Sequence, residues 1–185
     1  PLQFYRECAY YASKGMVAVS VDYRIGYLHH STPFESFEDA KDAICWLRSH
    51  ALDYQLDPDK IAVAGGSAGG HLAAALGTIG SDETVPAGYR PNLSVLYYPV
   101  VDMVSRGYGF PEIKRDFEKI SPIHHVSEAT PSTLILLGTK DPIVSVETIR
   151  SYQDKLLQKG VDCELHLFEG AGHPIFLYRK PLTED

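Results

Sequence analysis

No apolar run in this sequence approaches the roughly 20 residues that span a bilayer, so no transmembrane helix is expected. Clusters of Lys or Arg are also missing. The 17 basic side chains are outnumbered by 24 acidic ones, for a formal charge of −7, which argues against nucleic acid and anionic membrane as partners. Cysteine is scarce: Cys8, Cys45 and Cys163 are odd in number and lack metal-like spacing. Cys45 and Cys163 fall in stretches that read as buried helix and buried strand, so structural thiols in a reduced compartment are expected. Repeats, low-complexity tracts and linker-like segments are absent, which leaves a single domain over residues 1–185. The chain opens at Pro1, already inside a helical pattern. Its lack of a leader therefore says little about compartment: the cytoplasm is favoured, and secretion stays open.

What is present is an alternation of short, β-branched apolar runs with longer segments of helical period, the signature of an α/β fold with a mostly parallel sheet. Strands are expected at residues 16–23, 60–64, 93–98, 133–138 and 164–168. Near-continuous runs such as Ile61-Ala62-Val63-Ala64 and Leu134-Ile135-Leu136-Leu137 fit strands covered on both faces. Phe37, Ala40, Ile44 and Leu47 recur at helical spacing, with Ser36 and Asp39 resembling a capping box at the start. A second helix is expected from about Ser145 through Val146, Ile149 and Leu156 to Gly160, which suits a left-handed closing residue. Residues 102–126 have little periodicity and hold Gly107, Gly109, Pro111 and Pro122. They read as a small lid or connecting loop.

The sharpest signal is Gly65-Gly66-Ser67-Ala68-Gly69-Gly70, a G-x-S-x-G pattern between the strand ending near Ala64 and the helical run Leu72 to Leu76. A strand-to-helix turn this sharp brings backbone close to backbone, so Gly65 and Gly69 are expected where a Cβ would clash. Ser67 then projects above the sheet as a nucleophile. The N–H of Ala68, at the positive end of the helix, points where an oxyanion would form. A dinucleotide fingerprint needs different glycine spacing and an acidic residue about 20 positions on, and these glycines do not fit it.

A nucleophilic serine needs a base and an acid, which in this arrangement follow it along the chain as acid, then histidine. Asp141 sits in Thr139-Lys140-Asp141-Pro142, after the strand at 133–138. His173 ends Glu169-Gly170-Ala171-Gly172-His173, after the strand at 164–168. Both are therefore at carboxyl ends of strands, the edge where open α/β sheets collect their active-site groups. Asp102 is the main rival for the acid, and Glu169 a weaker one, too near His173 in sequence to reach its ring freely.

His29-His30 and His124-His125 do not make a metal site, because adjacent histidines rarely chelate one ion and no carboxylate or cysteine spacing supports them. His71, on the helix after Ser67, reads as packing or capping. Tyr97, Tyr98 and Tyr108 fit either a substrate pocket or ordinary core and lid positions.

Several further segments carry a family resemblance: Val21-Asp22-Tyr23-Arg24, the helix from Glu38 to Leu47, Asp57-Pro58-Asp59-Lys60-Ile61, Ser67-Ala68-Gly69-Gly70, Ser121-Pro122, Gly138-Thr139-Lys140-Asp141 and Gly172-His173. On these the chain resembles the esterase and lipase branch of the α/β-hydrolase superfamily. The resemblance implies an α/β-hydrolase fold with helices on both faces of the sheet. It also implies a carboxylester hydrolase active on short acyl chains, including acetyl groups on sugars. That branch carries a His-Gly-Gly loop whose N–H groups complete the oxyanion hole, and this sequence has none. By the same analogy a strand between the first two is missing. The chain is thus expected to be an N-terminally incomplete piece of a longer protein.

The expected reaction is ester cleavage through an acyl-enzyme on Ser67, His173 and Asp141, with no cofactor. The 185-residue chain by itself is expected to be a poor catalyst, since loss of one oxyanion donor costs about 10²- to 10³-fold. Two alternatives share the pocket: a peptidase or amidase on the same triad, and a catalytically silent ligand binder. A homodimer through the edge of the last strand is also open.

Overall fold

A computed structural model of the chain describes residues 4–80, 87–103, 113 and 116–175. Its centre is a four-stranded, wholly parallel sheet in the order β1-β2-β3-β4, with β1 Ala62–Gly66, β2 Leu93–Tyr97, β3 Ser132–Gly138 and β4 Cys163–Phe168. Among the described residues it is accompanied by the α-helices α1 Tyr5–Ser13, α2 Gly26–His29, α3 Pro33–Ser49, α4 Ala68–Thr78, α5 Phe117–Ile120 and α6 Val146–Gln158.

The parallel register aligns Ser94, Leu96, Thr133, Ile135 and Leu137 on one face of the sheet, where all five are buried. Helix α4 lies against that face so closely that a side chain on Gly77 would sit 3.3 Å from Ser94 Oγ. Residues 70–78 of α4 are buried throughout, which explains why their apolar composition shows no single stripe. Helix α6 buries Ile149, Tyr152 and Leu156 and donates from Gln153 to the Cys163 carbonyl. On the other face Tyr97, one residue on from Leu96, hydrogen-bonds Tyr11 of α1. Helices thus flank both faces.

Four expectations need correction. Residues 16–23 form no strand, and Met16, Val17, Val19 and Val21 are exposed. A β segment is stable only with a ladder partner, and no described strand pairs with this one. The strand expected at 60–64 begins two residues later and runs to Gly66, bringing it to the edge of the serine turn.

Helix α3 starts earlier than expected. Pro33 occupies its first turn, and Thr32 and Glu35 form the capping box, with Thr32 N–H donating to the Glu35 carboxylate at 2.7 Å. Proline suits that position because it lacks the N–H that would go unpaired. Ser36 and Asp39 instead hold the preceding segment. Ser36 Oγ donates to the Arg24 carbonyl at 2.7 Å, while Asp39 accepts from both the backbone and the guanidinium of Arg24. Finally, Cys45 lies on α3 but is exposed. Cys163 is only partly covered, and burial pushes its thiol up to about 11, well away from the reactive thiolate range.

Of the lid segment at 102–126, the structure describes 102, 103, 113 and 116–126, including α5 and a 3₁₀ turn at Pro122–His124. Gly107, Tyr108, Gly109 and Pro111 lie outside the described residues.

Candidate active site

Ser67 occupies the turn between β1 and α4 with φ 55° and ψ −115°. A non-glycine residue with positive φ is strained, and the strain persists only where its surroundings over-determine it. In this turn Ser67 N–H donates to the Tyr97 carbonyl at 3.0 Å and its own carbonyl accepts from His71 N–H at 2.9 Å. The turn is tight enough that a Cβ on Gly65 would come within 3.0 Å of the Gly69 backbone. Gly69 itself is a correction to the sequence reading, since nothing lies within 4 Å of a Cβ there. The second close approach belongs to Gly70, whose Cβ would stand 3.0 Å from Gly65 O and from Pro99 Cα. Gly66 is the last residue of β1, and Ala68, the first of α4, has an N–H with no acceptor inside the helix.

His173 Nε2 lies 2.7 Å from Ser67 Oγ, and its Nδ1 lies 2.8 Å from Asp141 Oδ2. With its proton on Nδ1, the ring donates to the carboxylate and offers the Nε2 lone pair to the serine hydroxyl. Asp141 is held in turn: its Oδ1 accepts from the N–H groups of Ile143 at 2.8 Å and Val144 at 2.9 Å. Its side chain is fully shielded from solvent, and that of His173 is 15% exposed. Solvent can therefore reach the ring, while the carboxylate is fixed by three donors in a dry setting, where such bonds are strongest.

The two supporting loops are bonded to each other. Lys140 N–H donates to Ala171 O, Thr139 N–H to Phe168 O, and Gly170 N–H to Thr139 Oγ1 at 2.8 Å. A Cβ on Gly138 would fall within 3.0 Å of Ala171 O and Gly172 O. This glycine sets the spacing of acid and histidine loops. Sequence reading left it unassigned, although it opens the Gly-Thr-Lys-Asp segment.

The rival acids stand elsewhere. Asp102 Oδ1 is 3.8 Å from His124 Nε2, and Glu169 is exposed. His29 Nδ1 accepts from Ile25 N–H, and His125 Nε2 is 2.8 Å from the Glu118 carbonyl. Among the described residues no group of His, Cys, Asp and Glu converges as a metal site. His71 is fully buried with Nε2 2.7 Å from the Ile120 carbonyl. Burial pulls its pKa down to about 4, so it is neutral at ordinary pH.

Sequence reading underrated Tyr98. Its backbone has φ 38°, the residue is 2% exposed, and its ring centroid lies 4.6 Å from that of His173 at 58°. Burial, and next the charge of Asp141, push its phenol up to about 12. Tyr97 points to the opposite face, towards α1. A cleft of about 460 Å³ lined by Asp22, Tyr23, Arg24, His29, Asp39 and Asp42 includes none of the residues around Ser67.

A parallel sheet with helices on both faces, a strained serine on the first strand-to-helix turn, and an acid and a histidine delivered by two later strand ends define an α/β-hydrolase. The BD-FAE family model matches residues 3–109, and the chain belongs to that family. It is 31% identical to Esterase LipC of Mycobacterium tuberculosis over 93% of its length, covering 48% of that protein. It is 29% identical to the probable carboxylic ester hydrolase LipM of the same organism over 80% of its length, covering 39% of it. The chain thus spans about half the length, or less, of these curated relatives. Among solved structures, Thermogutta terrifontis esterase 2 phosphonylated by sarin matches 98% of this chain and 71% of its own, with a TM-score of 0.89 and 35% identity. A butyrate-bound structure of that esterase matches with a TM-score of 0.83 and 36% identity. No helix among the described residues is long and apolar enough to cross a membrane.

Proposed function

We infer that this chain carries the nucleophile, base and acid of a serine hydrolase that cleaves small carboxylic esters with short acyl groups. The observation that supports it is the unbroken hydrogen-bonded chain from Ser67 Oγ through His173 to Asp141. Ser67 Oγ attacks the ester carbonyl carbon as its proton passes to His173 Nε2, and the carbonyl π pair moves onto oxygen. The N–H of Ala68, at the positive end of α4, is one donor to that oxyanion. Collapse of the tetrahedral intermediate expels the alcohol, which takes the proton from Nε2. Water then enters with His173 as base, adds to the acyl carbon, and leaves Ser67 free and the acid released. Asp141 keeps the proton on Nδ1 and stabilises the imidazolium throughout.

Short acyl chains are favoured because the related Thermogutta esterase binds butyrate. Its phosphonylation by sarin is the chemistry of an activated oxygen nucleophile, the part that Ser67 plays in this mechanism. A p-nitrophenyl ester series from acetate to decanoate tests the reading. Turnover should peak at two to four carbons and vanish in Ser67→Ala. Turnover that survives Ser67→Ala, or a series that peaks at eight to ten carbons, would overturn it.

A further inference from the structure

We propose that Tyr98 is a positioning residue for His173: its ring, held against the imidazole by a strained backbone, keeps Nε2 on Ser67 and stabilises the imidazolium formed when Ser67 gives up its proton. This rests on the proposed hydrolytic roles of Ser67 and His173.

The first observation is conformational. A bulky aromatic with φ 38° occupies a region of the backbone map that such residues avoid, at a cost of about 1 to 3 kcal/mol. An ordinary core tyrosine has no need of it. Two bonds impose it: Tyr98 N–H donates to Leu136 O at 2.7 Å, and the preceding Tyr97 carbonyl accepts from Ser67 N–H at 3.0 Å. The strained residue is thus wedged between the strand leading to Asp141 and the turn bearing Ser67. Pro99 follows it and restricts its backbone further; Pro99 also meets α4 where Gly70 leaves no side chain in the way.

The second observation is where the ring goes. It lies 4.6 Å from the imidazole at a 58° tilt, within the distance at which an aromatic face attracts a cation. His173 already has Asp141 on Nδ1 and Ser67 on Nε2, but two in-line bonds leave the ring free to swing about the axis between them. Tyr98 closes one flank against that swing. Its phenol stays neutral, so the electrostatic contribution comes from the aromatic face. Among the described residues, the charges that act on Tyr98 are those of Asp141, beside the imidazole, and Glu7 of α1.

The test compares Tyr98→Phe, Tyr98→Leu and Tyr98→Asn in the same protein with p-nitrophenyl acetate. Phe keeps the ring; Leu removes it at similar apolarity; Asn removes it while tolerating the left-handed backbone. Phe should retain kcat within about twofold. Leu and Asn should lose kcat by about 10-fold or more with KM little changed, and the acid limb of kcat/KM in Leu should move down by about half a pH unit, as loss of a cation–π contact predicts. An unshifted limb with wild-type kcat in folded Leu or Asn overturns the proposal. So does a 10-fold loss in folded Phe, which remains decisive even if the other two do not fold. Failure of the underlying hydrolytic reading would show separately, as wild-type turnover that survives Ser67→Ala.

Discussion

Gly138 and Ala171 approach so closely that a single methyl group on the former would collide with the carbonyl of the latter. That carbonyl also accepts from Lys140 N–H, so the loops carrying Asp141 and His173 are pinned together here, three residues before the acid and two before the histidine. Gly138→Ala must push them apart. It should cost about 1 to 3 kcal/mol of stability, as overpacking does, and lower kcat at least 100-fold by lengthening the Asp141 to His173 bond. Thermal melts paired with initial rates check both effects; a variant with native stability and activity would contradict this spacing role.

The two elbow glycines Gly65 and Gly69 should separate. Gly65→Ala drives a Cβ into the Gly69 backbone and should abolish activity along with much of the stability. Gly69→Ala meets nothing within 4 Å and lies inside α4, where alanine is favoured over glycine by about 1 kcal/mol. It should be active and as stable as the parent or more so. Equal damage from both substitutions would mean that the turn is packed differently.

Asp141→Asn should leave the fold intact, because an amide oxygen can still accept from Ile143 and Val144 N–H. The amide NH₂ would then face His173 Nδ1 and force the ring proton to Nε2, the wrong tautomer for a base. Loss of roughly 10³- to 10⁴-fold in kcat is expected, the scale seen when this exchange is made in a serine protease triad. A loss below 10-fold would point to a different acid, with Asp102→Asn the control.

His71 gives a prediction about stability and pH. Its folded pKa of about 4 lies below the ordinary 6.5, so the unfolded chain binds more protons between those values and folding weakens as pH falls. The stability that neutral His71 contributes is complete above pH 6.5. It is lost progressively from there down to about pH 4, by roughly 3 kcal/mol in all. Urea unfolding at pH 7 and pH 4.5 should show a smaller difference in His71→Gln than in the parent. An identical difference would mean that this ring does not titrate with folding.

How much was legible in advance depends on whether a feature is local. The serine turn is local: strand, glycines, serine and helix all lie within residues 62–78, and the G-x-S-x-G spacing marks it. Asp141 and His173 could be found because each follows an apolar run and the order along the chain is constrained. The region 16–23 misled because a β-branched apolar run states only that a segment would pair, not that a partner is present. Ser36 and Asp39 imitate a capping box, yet their side chains are taken by Arg24, a partner 12 and 15 residues away. Tyr98 was hidden for a similar reason. Its positive φ is imposed by Leu136 and Ser67, from the neighbouring strand and turn, and no pattern around residue 98 records it.

The central claim is that Ser67 is made nucleophilic by His173, and intact-mass analysis after treatment with a fluorophosphonate tests it most directly. The protein should gain one adduct, mapped by peptide sequencing to Ser67, formed at least 100-fold more slowly in His173→Gln and not at all in Ser67→Ala. Labelling at another residue, or at Ser67 with an undiminished rate in folded His173→Gln, would contradict the account.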